Sequence, residues 1–227
     1  KIKNVYYGFD DPDPRTFKKA KKILKKKKIS ASLVKSKNFK NFYDSYFFNK
    51  KNNLPYISAK IAISKDYYTI NKKSKWITND RSQKITHLLR SMNDCIFSTS
   101  KSINKDNSLL NCRIKGLNYF KPDLFIIDFN LKLKKNLLIN NLMNKRKTFL
   151  ITSEENKKKI NFYKKKNFKI IFIKSLDCKN DFKKIFKIIY KLGYRRAFFE
   201  TGLTFLNSLL KFKLVNILYV LQNNIML

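Results

Sequence analysis

The sequence predicts an α/β fold built on a largely parallel sheet. Three observations carry that prediction. Short apolar runs of strand length recur along the chain: PYISAKIAIS, DCIFS, LFIID, TFLIT, KIIFI, AFFE and VNILYVL. Between them lie stretches of crossover length, several with apolar residues three and four apart, the spacing of one helix face. Hydrophobic residues make up 43% of the 227 positions and aromatics 15%, enough for a sizeable core.

Residues 1–9 alternate apolar and polar and read as a strand. Asp10–Pro14 is a turn, with Asp13 as a cap and Pro14 at the first helical position. A helix then runs from Arg15 to Lys27, with Phe17, Ala20, Ile23 and Leu24 on one face. ISASLV reads as a short strand. Phe39, Phe42, Tyr43, Tyr46 and Phe47 follow at helical spacing, a stripe we read as a packing face. KKNN at 50–53 is a boundary, giving segments 1–52 and 53–227. Pro55–Ser64 is a buried strand and Thr69–Lys75 a loop. Asp80 caps a helix that carries Ile85, Leu88, Leu89 and Met92. Strands follow at Asp94–Ser98, Leu124–Asp128, Thr148–Thr152 and Lys169–Ile173, with a lysine-rich helix between the last two. Asp181–Leu192 is an amphipathic helix stopped by Gly193, since glycine accepts the left-handed cap conformation. Ala197–Glu200 is a strand, Thr204–Phe212 a helix and Val215–Leu221 the last strand.

The net charge is +37, yet only seven of the 52 basic residues are arginine. The lysines are spread along the chain beside abundant Asn, Ile, Phe and Tyr. We read them as compositional drift on solvated surfaces, with some affinity for polyanions at low salt but no specific nucleic-acid partner. No apolar run is long enough to span a bilayer, so no membrane partner is expected. Cys95, Cys112 and Cys178 stand at unrelated spacings, which fits neither a disulfide framework nor a zinc site and points to a reducing cytoplasm. A P-loop and a GxGxxG are both absent. The chain starts at Lys1, which we read as the start of a fragment.

In such sheets, ligands gather beyond the carboxyl ends of the strands. Lys60 with Ser64 and Asp66, Ser98–Ser102 with Asp106, Asp128, and Glu200 with Thr201-Gly202 all fall there. Gly202 opens a helix whose N-terminus could seat a phosphate, although strand–Gly–helix turns are also common without a ligand. Asp106-Asn107 is a cap or a turn on its own evidence, and Trp76 a core or edge residue. His87, the only histidine, reads as a partly buried helix histidine. Arginine offers a planar fork that lysine lacks, so Arg81, Arg90 and Arg113 stand out.

The ordered set LPYISAKIAIS, SKWIT, H-x-LR, DN-x-x-L-x-x-R, PDLFIID and FFETGLTFLNSLLKFKLVN resembles the reductase half of the bifunctional riboflavin-biosynthesis deaminase/reductase family. It spans about residues 53–221. The resemblance implies a dihydrofolate-reductase-like, three-layer domain with a mostly parallel central sheet. The N-terminal VYYGFDDPDPRTFKKAKKILKKKKI is similar to the tail of the family's cytidine-deaminase-like domain. No His-x-Glu or Cys-x-x-Cys zinc motif precedes it, so zinc would belong only to a deaminase part missing from this chain. The family continues beyond the point where this chain ends. Three family positions differ: SLDG is Ser64-Lys65-Asp66-Tyr67, the proline of DNP is Ser108, and GGP is Thr201-Gly202-Leu203.

The resemblance implies NADPH-dependent reduction of 5-amino-6-(5-phosphoribosylamino)uracil to the ribitylamino form, in a cytoplasmic enzyme that self-associates. It places Lys60, Asp106 and Glu200 around the ribose as catalytic groups, with Lys60 the electrostatic partner of the two carboxylates. Ser74, Arg90, Leu110 and Arg113 would line the substrate site, the arginines holding its phosphate or carbonyl. Ala62, Trp76, Ser102, Asp106 and the run Gly202, Leu203, Thr204, Phe205, Leu206, Asn207 and Ser208 would hold NADPH, with no metal. Three rivals stand beside this reading: an inactive relative, a dihydrofolate-reductase-like enzyme for another pyrimidine or pteridine, and a basic nucleic-acid-binding domain.

Overall fold

The computed structural model describes residues 1–69, 77, 79–119, 121–224 and 226. The chain forms two compact units, Lys1–Leu54 and Pro55–Leu227.

The first unit is small. Strands β1 (Asn4–Tyr7) and β2 (Ser30–Leu33) pair in parallel, joined through helix α1 (Lys19–Lys26), and α2 (Lys37–Asn52) follows. The expected helix from Arg15 starts only at Lys19. Lys18 adopts φ +54, a left-handed break that separates a run of turns from α1. Asp13 therefore caps the turn: its carboxylate accepts the Arg15 N–H at 3.0 Å, pairs with the Arg15 guanidinium at 2.7 Å and takes the Lys50 ammonium at 2.9 Å. Ser36 caps α2. The aromatic stripe packs in part. Phe9 meets Phe47 edge-on at 5.2 Å, while Phe42 is 72% exposed. Among the described residues of this unit, only Asp13, Ser45 and Asn49 are buried, and none of them is apolar.

The second unit holds a seven-stranded sheet. Its strands are β3 (Tyr56–Ile63), β4 (Cys95–Thr99), β5 (Asp123–Ile127), β6 (Thr148–Ser153), β7 (Lys169–Ile173), β8 (Arg196–Phe199) and β9 (Ile217–Gln222). The order is β7-β6-β5-β4-β8-β3-β9, and every pair is parallel. The helices are α3 (Asp80–Ser91), α4 (Ser100–Asp106), α5 (Asn161–Lys165), α6 (Lys179–Lys191) and α7 (Leu203–Lys211). The lysine-rich helix expected before β7 is a 3-10 turn (Glu154–Lys158) followed by the five-residue α5. Asn79, not Asp80, caps α3, accepting the Ser82 N–H at 3.0 Å; Asp80 is the first helical residue. Gly193 does end the α6 region, at φ +101.

Side chains alternate across a strand, so each strand feeds two layers. One face carries Ile96, Leu124, Ile126, Leu150 and Phe198, packed with Leu89 of α3 and Ile103 of α4. The other carries Phe149, Phe125, Phe97 and Phe199, which are register partners on β6, β5, β4 and β8. Their rings stack at 4.3, 4.7 and 4.5 Å with interplanar angles of 12° or less. Phe186 of α6 and Phe205 of α7 meet the end of this ladder at Phe199. No helix among the described residues is long and apolar enough to cross a membrane.

Candidate active site

The sheet changes direction at β4 and β8. From β4 the chain steps outward through β5, β6 and β7; from β8 it passes β3 to reach β9. Ligand crevices in open parallel sheets form at such a switch, beyond the strand carboxyl ends. Glu200 follows β8 directly. Its N–H donates to the Phe97 carbonyl at 2.9 Å, and its own carbonyl accepts the Ser98 hydroxyl at 2.8 Å. The backbone of this residue is thus tied to β4.

The Glu200 carboxylate is gripped by Arg90 of α3 in a bidentate pair. Arg90 Nε and Nη2 donate to Oε1 and Oε2 at 2.5 and 2.9 Å, and both side chains are about nine-tenths buried. Arg90 Nη1 donates to the Asn111 carbonyl at 3.0 Å. Burial pushes the Glu200 carboxyl up, but the charge and hydrogen bonds of Arg90, with help from Lys60, outweigh it and hold the group below the usual carboxylate range. Lys60, on β3, is lowered by burial, against the opposing pull of Glu200 and Asp106. Asp106 ends α4 on the exposed side, and no hydrogen bond among the described residues occupies its carboxylate. Lys60 thus lies within electrostatic reach of both Glu200 and Asp106.

Thr99 caps α4, accepting the Ser102 N–H at 3.2 Å, and its hydroxyl donates to Ser102 Oγ at 3.0 Å. Gly202 is the N-cap of α7 and brings no side-chain cap, so among the described residues no capping side chain occupies the N–H groups of that first turn. Its φ of −67 needs no glycine, and an added Cβ would lie an ordinary 3.7 Å from Ser102 Oγ. Among the described residues, the buried Thr201 hydroxyl has no hydrogen-bond partner. An uncapped helix end, a bare glycine surface and an unsatisfied hydroxyl make a donor set that fits a dinucleotide phosphate.

The expected site residues fall in different surroundings. Glu200 and Asn111 take up the Arg90 fork, which braces Glu200. Arg90, rather than Lys60, is accordingly the direct partner of Glu200. Leu110 is 3% exposed and packs into the core, at φ +49, so its side chain does not line a crevice. Within the run 202–208, Leu206 is buried and Phe205 stacks toward Phe199, which leaves Gly202, Leu203, Thr204 and Asn207 outward. Ser208 is half-buried and donates to the Thr204 carbonyl. Ala62 is half-buried on β3. Ser74 and Trp76 lie outside the described residues. Arg113 donates to Asn111 Oδ1 at 3.0 Å.

Three residues escape the sequence reading as site residues. Asn111 links both arginines. His87, half-buried on α3, places Nδ1 2.9 Å from the Asn111 carbonyl. Arg146 is 7% exposed and donates to the carbonyls of Leu109 at 2.7 Å and Leu110 at 2.5 Å. Burial, with the charge of Arg90, lowers Arg146 to about 10. The one available signal for Arg146 is an arginine inside the lysine run NKRK.

The chain is similar to known proteins along its whole length. RibD of Buchnera aphidicola is 34% identical over 115 residues, covering 49% of this chain and 31% of that protein. RibD of Aquifex aeolicus is 27% identical over 213 residues, 92% of this chain and 58% of that protein. A Thermotoga maritima structure, titled as a diaminohydroxyphosphoribosylaminopyrimidine deaminase/5-amino-6-(5-phosphoribosylamino)uracil reductase, superposes with TM-score 0.81 at 18% identity, over 99% of this chain and 60% of that one. The chain thus spans less than two thirds of these longer relatives. The riboflavin biosynthesis reductase of Saccharomyces cerevisiae matches at TM-score 0.61 and 22% identity, over 84% of each chain. These likenesses establish the dihydrofolate-reductase-like fold of the second unit. The family model described as the RibD C-terminal domain matches residues 55–227, and the chain belongs to that family.

Proposed function

We propose that this chain reduces 5-amino-6-(5-phosphoribosylamino)uracil to its ribitylamino form with NADPH. One observation carries the reading: Lys60 lies within electrostatic reach of Asp106 and of the Arg90-held Glu200, which stands at the strand-end switch just before the N-terminus of α7. Family membership supports it.

The ribose ring must first open to an imine. The ring oxygen gains a proton as the exocyclic nitrogen loses one. When bound, NADPH supplies the hydride that reduces C1′ of that imine, and a proton must reach the nitrogen. Lys60 has the lowered affinity for its proton that such a shuttle requires, and Asp106 has a carboxylate available to exchange one. Glu200, held below the usual carboxylate range, favours the cation formed when that proton reaches the imine nitrogen. Arg113, held at one nitrogen by Asn111, keeps donors for the substrate phosphate. Gly202, Leu203 and Thr204 would receive the cofactor phosphates on backbone N–H groups, with Ala62 and Ser102 along the same crevice. Asp106→Asn is expected to lower kcat about a hundredfold or more while leaving the NADPH Kd within about threefold. Steady-state kinetics with a direct binding titration would check it; equal losses in both would move Asp106 to the cofactor.

We further infer that residues 1–52 correspond to the tail of a deaminase-like domain, which fits the separate compact unit Lys1–Leu54. Self-association fits the exposed edge strand β9, where Val220 is 50% exposed. A cytoplasmic setting fits the soluble biosynthetic chemistry.

A further inference from the structure

We propose that His87 is a positioning residue for substrate binding, acting through Asn111 on Arg113. This rests on the reductase reading above.

The Asn111 carbonyl can only accept. His87 Nδ1 lies 2.9 Å from it, so Nδ1 must carry the ring proton. Arg90 Nη1 donates to the same carbonyl at 3.0 Å, so its 3.4 Å approach to His87 Nδ1 places two donors side by side and is not a bond. Two donors from α3 thus clamp one backbone oxygen. The clamped residue is 9% exposed, and its side-chain Oδ1 accepts Arg113 Nη1 at 3.0 Å. The backbone clamp fixes where Oδ1 stands, and Oδ1 fixes one corner of the Arg113 fork.

The charged groups around the imidazole are Arg90 on α3, Arg113 in the loop beyond Asn111, and Glu200 after β8. Burial first, then the two arginines, make His87 harder to protonate than usual. The ring therefore works as a neutral donor. Its Nδ1–H form is the less common tautomer of a free imidazole, so the Asn111 bond selects it.

The chain has a single histidine, which makes two tests clean. Ring-nitrogen NMR of the full chain labelled with 15N-histidine is expected to show the proton on Nδ1; a proton on Nε2 overturns the proposal. The second test compares three variants in steady-state kinetics. An asparagine amide can stand at the Nδ1 position and a glutamine amide near Nε2. His87→Asn should keep the KM for the phosphoribosylaminouracil within about threefold of the wild type, and His87→Gln and His87→Leu should raise it about tenfold with kcat nearly unchanged. A His87→Asn variant as weak as His87→Leu, or a loss that falls on kcat or on the KM for NADPH, overturns the proposal. A wild-type chain that oxidises no NADPH removes the reductase reading itself, whatever the tautomer; normal turnover with an Nε2 proton removes only the His87 relay.

Discussion

Glu200 is an acid kept ionised inside a protein, and its cost is offset by one specific partner. Replacing it with glutamine would leave the Arg90 guanidinium buried against a neutral amide. Breaking a buried pair from one side costs about 3–5 kcal/mol, so Glu200→Gln should lower the denaturation midpoint of the second unit well below wild type. The pH dependence has a definite sign. A carboxyl held below its ordinary value contributes stability that is fully present above the unfolded value, about pH 4.3, and is lost as pH falls through the folded value. Glu200→Gln should therefore flatten the acid limb of a stability-versus-pH curve. The carboxylate itself was legible as a candidate from its place at a strand end. Its partner was not, because Arg90 lies 110 residues earlier and sequence spacing carries no information about which cation a helix turns inward.

Helix α7 shows where element-scale reading stops. The sequence locates the helix and its opening glycine, but a run of consecutive residues cannot all face one ligand when a helix turns every 3.6 residues. Leu206 and Phe205 go to the core, and Gly202 is left exposed at the helix end. Gly202→Ala is expected to fold with a stability change within about 1 kcal/mol, since its φ is ordinary and its Cβ meets only Ser102 at 3.7 Å. If α7 seats the cofactor as proposed, the same variant should weaken NADPH binding at least about tenfold, because the methyl group would stand in the way of a phosphate at the helix end. An NADPH titration that matches wild type would remove α7 as the cofactor seat. In the sheet, the strands were readable because apolar runs of strand length are bounded by turns. The phenylalanine ladder was not, because it depends on register between strands that are far apart in sequence. Phe125 sits inside it and is fully buried, so Phe125→Ala should destabilise the second unit by about 3–5 kcal/mol in urea unfolding.

At the scale of the whole molecule, the two units differ in what holds them. The second unit has two apolar layers around seven strands; the first has a two-stranded parallel sheet and, among its described residues, no buried apolar side chain. Parallel sheets depend on cover over both faces. Amide exchange followed by mass spectrometry should find the strands of the ladder protected for far longer than β1 and β2. Equal protection in both units would show that the first is held by something other than its own packing. The order of the sheet bears also on how the site comes into being. Strand β8 lies between β3 and β4 in space but is the eighth of the nine described strands along the chain. A ribosome making this chain releases β3 and β4 long before the strand that separates them. The two must wait as unclosed neighbours, and Arg90 with Lys60 must wait for Glu200, until residues near 200 emerge. Contacts that close so late in synthesis expose intermediate surfaces for longer than local ones do. The candidate site is thus among the last parts of the nascent protein to form, and a truncated translation product ending before β8 would carry most of the sheet's sequence without the Arg90–Glu200 pair.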